Sequence, residues 1–178
     1  QLIGAALGVA DLHIYGDWLK EGQRDLELQS FHSAEVLSGD WQPLVDDVIQ
    51  LLDGYTGRLG LHGPFWGFGI ASQDADVRAI AAKRMDQALD VCEELGATQM
   101  VIHSPYTTWD YNNLDQYETG RADLIERAHG TLRAAVRRAK EQGLQLVIEN
   151  IEDIDPADRL RLAQSFASDA VKLSIDTG

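Results

Sequence analysis

An α/β fold is what this sequence predicts: a parallel sheet with outer helices, corresponding to six βα units of a (β/α)-barrel. Three observations carry that reading. Short apolar runs of strand length alternate with amphipathic helical stretches. The helical stretches open and close on capping residues. Several of the apolar runs end in a histidine or a carboxylate.

The strands are expected at residues 2–9, 25–31, 58–62, 99–103, 144–149 and 171–176. In the second, Leu26 and Leu28 alternate with Glu27 and Gln29. The third to sixth are mostly continuous apolar runs, as expected where both faces of a parallel strand are buried. Between the first two strands, residues 18–23 read as helical. Asp40 and Pro43 precede the periodic set Leu44, Val45, Val48, Leu51 and Leu52, which Gly54 ends. A longer helix uses Val77, Ile80, Ala81, Ala88, Cys92 and Leu95 and stops at Gly96. The next uses Leu124, Ile125, Ala128, Leu132, Ala135, Val136 and Ala139 and stops at Gly143. Asp155 and Pro156 read as N-cap and first position of a shorter helix through Phe166. Residues 105–120 form the longest irregular stretch. It follows a strand end, where barrel enzymes place substrate loops.

The pattern alone leaves a doubly wound open sheet and a closed barrel in competition. Neither a G-x-G-x-x-G nor a G-x-x-x-x-G-K-[ST] segment follows any strand, which removes the usual nucleotide fingerprints. The 178 residues read as one domain, 1–178, with no linker or low-complexity segment. No apolar run reaches the ~20 residues needed to span a bilayer. Gln1-Leu2-Ile3-Gly4 carries no signal-peptide pattern, so a cytoplasmic location is expected. The lone Cys92 reads as a small buried hydrophobe. A formal charge of −14 repels polyanions and argues against nucleic acid as the default partner.

The strand ends carry the chemistry. His62 closes the third strand, His103 the fourth, Glu149 the fifth and Asp176 the sixth. A carboxylate or imidazole at the end of a buried strand loses hydration and needs a partner. In a parallel barrel these ends open on one face. Two imidazoles and two carboxylates there suit a divalent cation: Zn²⁺, Mn²⁺ or Co²⁺, with Mg²⁺ as the harder alternative. Gln29, Trp66, Tyr106 and Trp109 are candidate substrate-binding residues around the same mouth. His13 and His32 follow the first two strands, where they could line the same mouth. His129 reads as a solvated helix residue.

Four segments, Leu61-His62-Gly63-Pro64-Phe65, Ile102-His103-Ser104-Pro105, Ile148-Glu149-Asn150 and Ile175-Asp176-Thr177-Gly178, resemble strand-end motifs of the xylose isomerase-like TIM-barrel superfamily. Residues 25–29 resemble its second strand. The resemblance implies a (β/α)8 TIM barrel, incomplete here, with a metal held by Glu149 and Asp176. It implies a metal-dependent sugar or sugar phosphate isomerase or epimerase working through an ene-diolate, Glu149 acting as ligand and proton-transfer base. The alternative it offers is an endonuclease IV-like, zinc-dependent abasic-site endonuclease, in which His62 and His103 also bind metal. The expected partner is a small-molecule sugar, with homo-oligomerisation open. In the superfamily the sixth-strand motif continues with a His, and later strands add ligands. The 178-residue stretch by itself is therefore expected to be a fragment, exposed at the edges of strands one and six, and poorly active.

Overall fold

The computed structural model describes residues 3–177. Six parallel strands form one sheet: β1 (Ala5–Leu7), β2 (Leu26–Leu28), β3 (Leu59–His62), β4 (Gln99–His103), β5 (Gln145–Glu149) and β6 (Val171–Leu173). Their spatial order is the chain order, β1-β2-β3-β4-β5-β6. A doubly wound sheet reverses its order at a switch point. This one never does, so the architecture is of the singly wound barrel type.

The helices are α1 (Val9–Glu21), α2 (Ala34–Ser38), α3 (Gln42–Leu51), α4 (Ala75–Leu95), α5 (Thr108–Asn113), α6 (Gly120–Gln142) and α7 (Pro156–Ser165). A 3₁₀ turn, Leu114–Gln116, follows α5. The expected stop signals act through geometry: Gly96 and Gly143 end α4 and α6 in the left-handed conformation, φ 62° and 72°. At α7, Asp155 Oδ1 accepts from the Ala157 N–H at 2.9 Å, and Pro156 takes the position where no N–H is needed. Replacing Asp155 with Ala should cost about 1 kcal/mol of unfolding free energy. Urea denaturation checks this, and an unchanged midpoint would show that the cap is idle.

Register divides each strand between two faces. Leu26, Leu28, Leu59, Leu61, Met100, Ile102, Leu146, Ile148 and Val171 face the helices and form the buried core. The opposite, inner face carries Glu27, Gly60, His62, Gln99, Val101, His103, Gln145, Val147, Glu149 and Lys172, matched across neighbouring strands. The apolar runs are therefore apolar on both faces only at their centres, where Val101 pairs with Val147. Polar residues flank that pair on the inner face.

Several boundaries differ from expectation. Residue 2 of the expected first strand lies outside the described residues. That strand ends at Leu7, because Gly8 caps α1 and its N–H donates to Asp11 Oδ2 at 3.0 Å. The helix expected near residues 18–23 thus begins at Val9. Within the loop after β4, α5 forms around a local capping box, with Thr107 Oγ1 accepting from the Asp110 N–H. The sixth strand stops at Leu173, three residues before Asp176. His129 is not a free surface residue. Its ring stacks on Phe166 at 4.1 Å and Nε2 lies 2.8 Å from Ser165 Oγ, joining α6 to α7. Cys92 is buried as expected, which pushes its thiol up to about 12. Among the described residues, no helix is long and apolar enough to cross a membrane.

Candidate metal centre

Because the strands are parallel, the last residues of β3, β4 and β5 meet at one end of the sheet. Those residues are His62, His103 and Glu149. His103 Nε2 lies 3.3 Å from His62 Nε2. Glu149 Oε2 lies 3.7 Å from His103 Nε2 and 3.9 Å from His62 Nε2. The two longer separations exceed hydrogen-bond range. Three donor atoms thus surround a common space.

His62 is held for this arrangement. It is 7% exposed, and its Nδ1 lies 2.9 Å from Gly63 O, a pure acceptor. Nδ1 therefore carries the proton, and the Nε2 lone pair faces the cluster. Gly63 is required beside it. Its N–H donates to Val101 O at 2.8 Å, and a Cβ there would lie 2.6 Å from the same oxygen. Any side chain would push the end of β3 away from β4 and separate the two histidines.

Phe65 packs among the imidazoles. Its ring stacks on His103 at 4.4 Å and on His32 at 4.9 Å, and meets His62 edge-on at 4.8 Å. Burial, reinforced by the neighbouring His62, lowers His103 to about 4, so it stays neutral and able to ligate at ordinary pH. Burial raises Glu149, opposed by His62, while Glu27 and Asp176 raise it further and Arg159 lowers it.

The donor set fits a divalent ion. Bonds of about 2.1 Å in tetrahedral geometry place ligand atoms roughly 3.4 Å apart. The observed edges of 3.3, 3.7 and 3.9 Å close on that value with small side-chain movements. Two imidazole nitrogens and one carboxylate oxygen suit Zn²⁺, Mn²⁺ or Co²⁺ better than Mg²⁺, which takes oxygen ligands.

The other expected residues are placed as follows. Asp176 is exposed and lies outside the three-residue cluster, though its charge reaches Glu149. Its main chain is tied to the turn after β5: Asn150 Oδ1 accepts from the Asp176 N–H and Asn150 Nδ2 donates to Asp176 O, both at 2.9 Å. Gln29 Nε2 donates to Glu27 Oε1 at 2.7 Å. Trp66 is 68% exposed in the turn after β3. Trp109 is 60% exposed and borders a groove of about 370 Å³ with Asn113, Tyr117, Asp123 and Arg127. That groove does not include the two histidines or Glu149. Tyr106 departs from the expectation of a substrate-facing ring. It is 1% exposed in the core, 6.0 Å from Tyr111, because burying a large ring outweighs lining a wet mouth.

His32 lies beside the cluster, its ring 6.4 Å from His62 and stacked on Phe65, and is not one of its three donors. His13 does not, since it sits on α1 with Nε2 3.1 Å from Asp47 Oδ2 on α3. Sequence reasoning passed over two participants. Glu27 was visible as a polar residue between two leucines of a strand, and Phe65 carried no signal beyond its nearness to His62.

The shifted histidine has a stability consequence. Between its ordinary value of 6.5 and about 4, the unfolded chain takes up the His103 proton and the folded site does not. Stability is therefore lost as pH falls through that window. Glu149 acts with the opposite sign, because its folded form protonates first. Thermal unfolding of metal-free protein between pH 7 and 4 should show a steeper loss in wild type than in His103→Gln. Parallel curves would refute the assignment.

A family model described as xylose isomerase-like TIM barrel matches residues 24–178. An uncharacterised protein of Methanocaldococcus jannaschii is 22% identical over 137 residues, covering 74% of this chain and 45% of that protein. A Thermus thermophilus protein, whose structure was solved after soaking with ZnCl₂, superposes with a TM-score of 0.76 at 22% identity, over 99% of this chain and 66% of that one. A D-tagatose 3-epimerase-like protein superposes with a TM-score of 0.72 at 19% identity, over 96% of this chain and 64% of that one. At these identities the structural likeness is one of fold. This chain spans under half of the archaeal relative and about two thirds of the two solved structures.

Proposed function

The chain belongs to the xylose isomerase-like TIM-barrel family, and from that premise we propose that the protein is a divalent-metal-dependent sugar or sugar phosphate isomerase or epimerase. The observation that carries the proposal is the convergence of His62 Nε2, His103 Nε2 and Glu149 Oε2 at one strand-end mouth. The epimerase-like character of a protein sharing the fold supports the substrate class.

A bound divalent ion would supply Lewis acidity, making a C–H beside a sugar carbonyl easier to ionise and favouring the ene-diolate. His62, His103 and Glu149 would hold it, with Asp176 approaching from the segment after β6. Glu149 Oε is the proposed site of proton transfer. Its raised pKa brings it nearer to neutrality, where a carboxylate accepts and returns a proton more evenly. Phe65 covers one face of the His103 ring. Gln29, just past β2, and Trp66, in the turn after β3, are the residues proposed to hydrogen-bond or stack on a polyol.

The test uses the full-length protein loaded with Mn²⁺ or Co²⁺ and a panel of ketoses in D₂O. Deuterium entering carbon beside the carbonyl, dependent on metal, is the expected result. No exchange with any ketose or ketose phosphate would defeat the proposal. The two histidines in the cluster favour one second reading, a zinc-dependent abasic-site endonuclease. The charge of −14 weighs against it, since DNA affinity rests on neutralising phosphates. Cleavage of abasic DNA by the zinc-loaded protein would establish that reading instead.

A further inference from the structure

One side chain from α7 touches the turns that follow β5 and β6, and through Asp153 it is linked to the turn that follows β4. Arg159 is buried. Its Nη1 donates to Asn150 Oδ1 at 3.0 Å and to Ser174 O at 2.8 Å. Its Nε lies 3.7 Å from Asp153 Oδ1, and both side chains of that ion pair are shielded from solvent. Asp153 in turn accepts from Ser104 Oγ at 2.9 Å and from the Ile151 N–H at 3.2 Å. Three residues of this network lie within two positions of a candidate ligand. Ser104 follows His103, Asn150 follows Glu149, and Ser174 precedes Asp176 by two residues.

We propose that Arg159 is a positioning residue for the metal centre: through Asn150 and Asp153 it locks together the turns that directly follow His103 and Glu149 and the segment that carries Asp176. The proposal rests on the metal reading given above. Its physical basis is that these turns lie where ladder hydrogen bonding runs out. β6 ends at Leu173, so Asp176 lies beyond the ladder, and the Asn150 amide makes two bonds to its main chain. Asn150 is held by the guanidinium in turn. A buried ion pair is seldom more stabilising than well-packed apolar groups. An apolar side chain could fill the same volume but could not make directed bonds to acceptors on two different turns. A guanidinium can, because its donors are fixed in one plane. Metal–ligand distances tolerate errors of only about 0.2 Å, so fixing the turns fixes affinity.

The experiment uses full-length protein and Co²⁺ alone as the probe, reading affinity by chelator competition and geometry from the visible d–d bands. Arg159→Lys retains the charge opposite Asp153 but loses the planar fork. Asn150→Ala cuts the tie to Asp176 and leaves the ion pair in place. Each should bind Co²⁺ about 10- to 100-fold more weakly, the cost typical of supporting residues around a metal. Each should also shift or weaken the d–d bands, while the metal-free variants keep the wild-type circular-dichroism spectrum. Wild-type affinity and spectrum in both variants would overturn the positioning role, as would a lowered melting temperature with unchanged Co²⁺ bands. If His103→Ala abolishes Co²⁺ binding while these two variants bind normally, the metal reading stands and this one falls. If wild type takes up no Co²⁺, both fall.

Discussion

Glu149→Gln in the full-length protein should lower turnover by roughly 10³-fold or more while leaving the fold intact. Loss of a general acid–base residue typically costs about 10²- to 10⁴-fold, and this substitution also removes an anionic ligand from the cluster. The two readouts separate cleanly. Burial raises Glu149, and the nearby Glu27 and Asp176 raise it further, so the folded chain disfavours its ionised form. A neutral side chain of the same shape removes that penalty. The metal-free variant should therefore unfold at or above the wild-type temperature, by circular dichroism, even as divalent affinity and catalysis collapse. Turnover within tenfold of wild type would remove Glu149 from the mechanism. A large drop in the metal-free melting temperature would show that its charge is structural.

Leu146→Ala should be strongly destabilising. Leu146 is fully buried at the helix-facing side of β5 and pairs in register with Met100 of β4 and Val171 of β6. Truncating such a residue typically costs about 2–5 kcal/mol, combining lost burial with a cavity that relaxes only in part. For a chain of this size each kcal/mol moves the melting temperature by roughly 2–4 °C. Leu146 lies three residues before Glu149 on the central member of the β4-β5-β6 group, so the same change should loosen the metal site. Urea unfolding and Co²⁺ affinity measured on one preparation would follow both effects. A loss below about 1 kcal/mol would mean that the core on this side collapses without strain.

His62, His103 and Glu149 were legible in the sequence because each terminates an apolar strand, and parallel strands joined by helices must present such ends on one side. The long helices were legible through their periodicity and their glycine stops at Gly96 and Gly143. The short helices α2 and α5 were not, since five or six residues carry too little periodicity to register. Asp176 looked like the end of a strand because it closes the apolar run expected over residues 171–176. The ladder stops at Leu173, and Asn150 takes over the pairing.

Pattern and punctuation in this chain determined the α/β class, the strand and helix order, and the ligand types at the strand ends, all properties of neighbours along the backbone. Tertiary structure alone decided the one-way strand order that makes the sheet barrel-type. It also decided the burial of Tyr106, the wedge of Phe65 between imidazoles, and the meeting of Arg159 with the turns after β5 and β6. Those depend on contacts between residues far apart in sequence. Only the folded register sets the distances between them, and no local pattern encodes a distance.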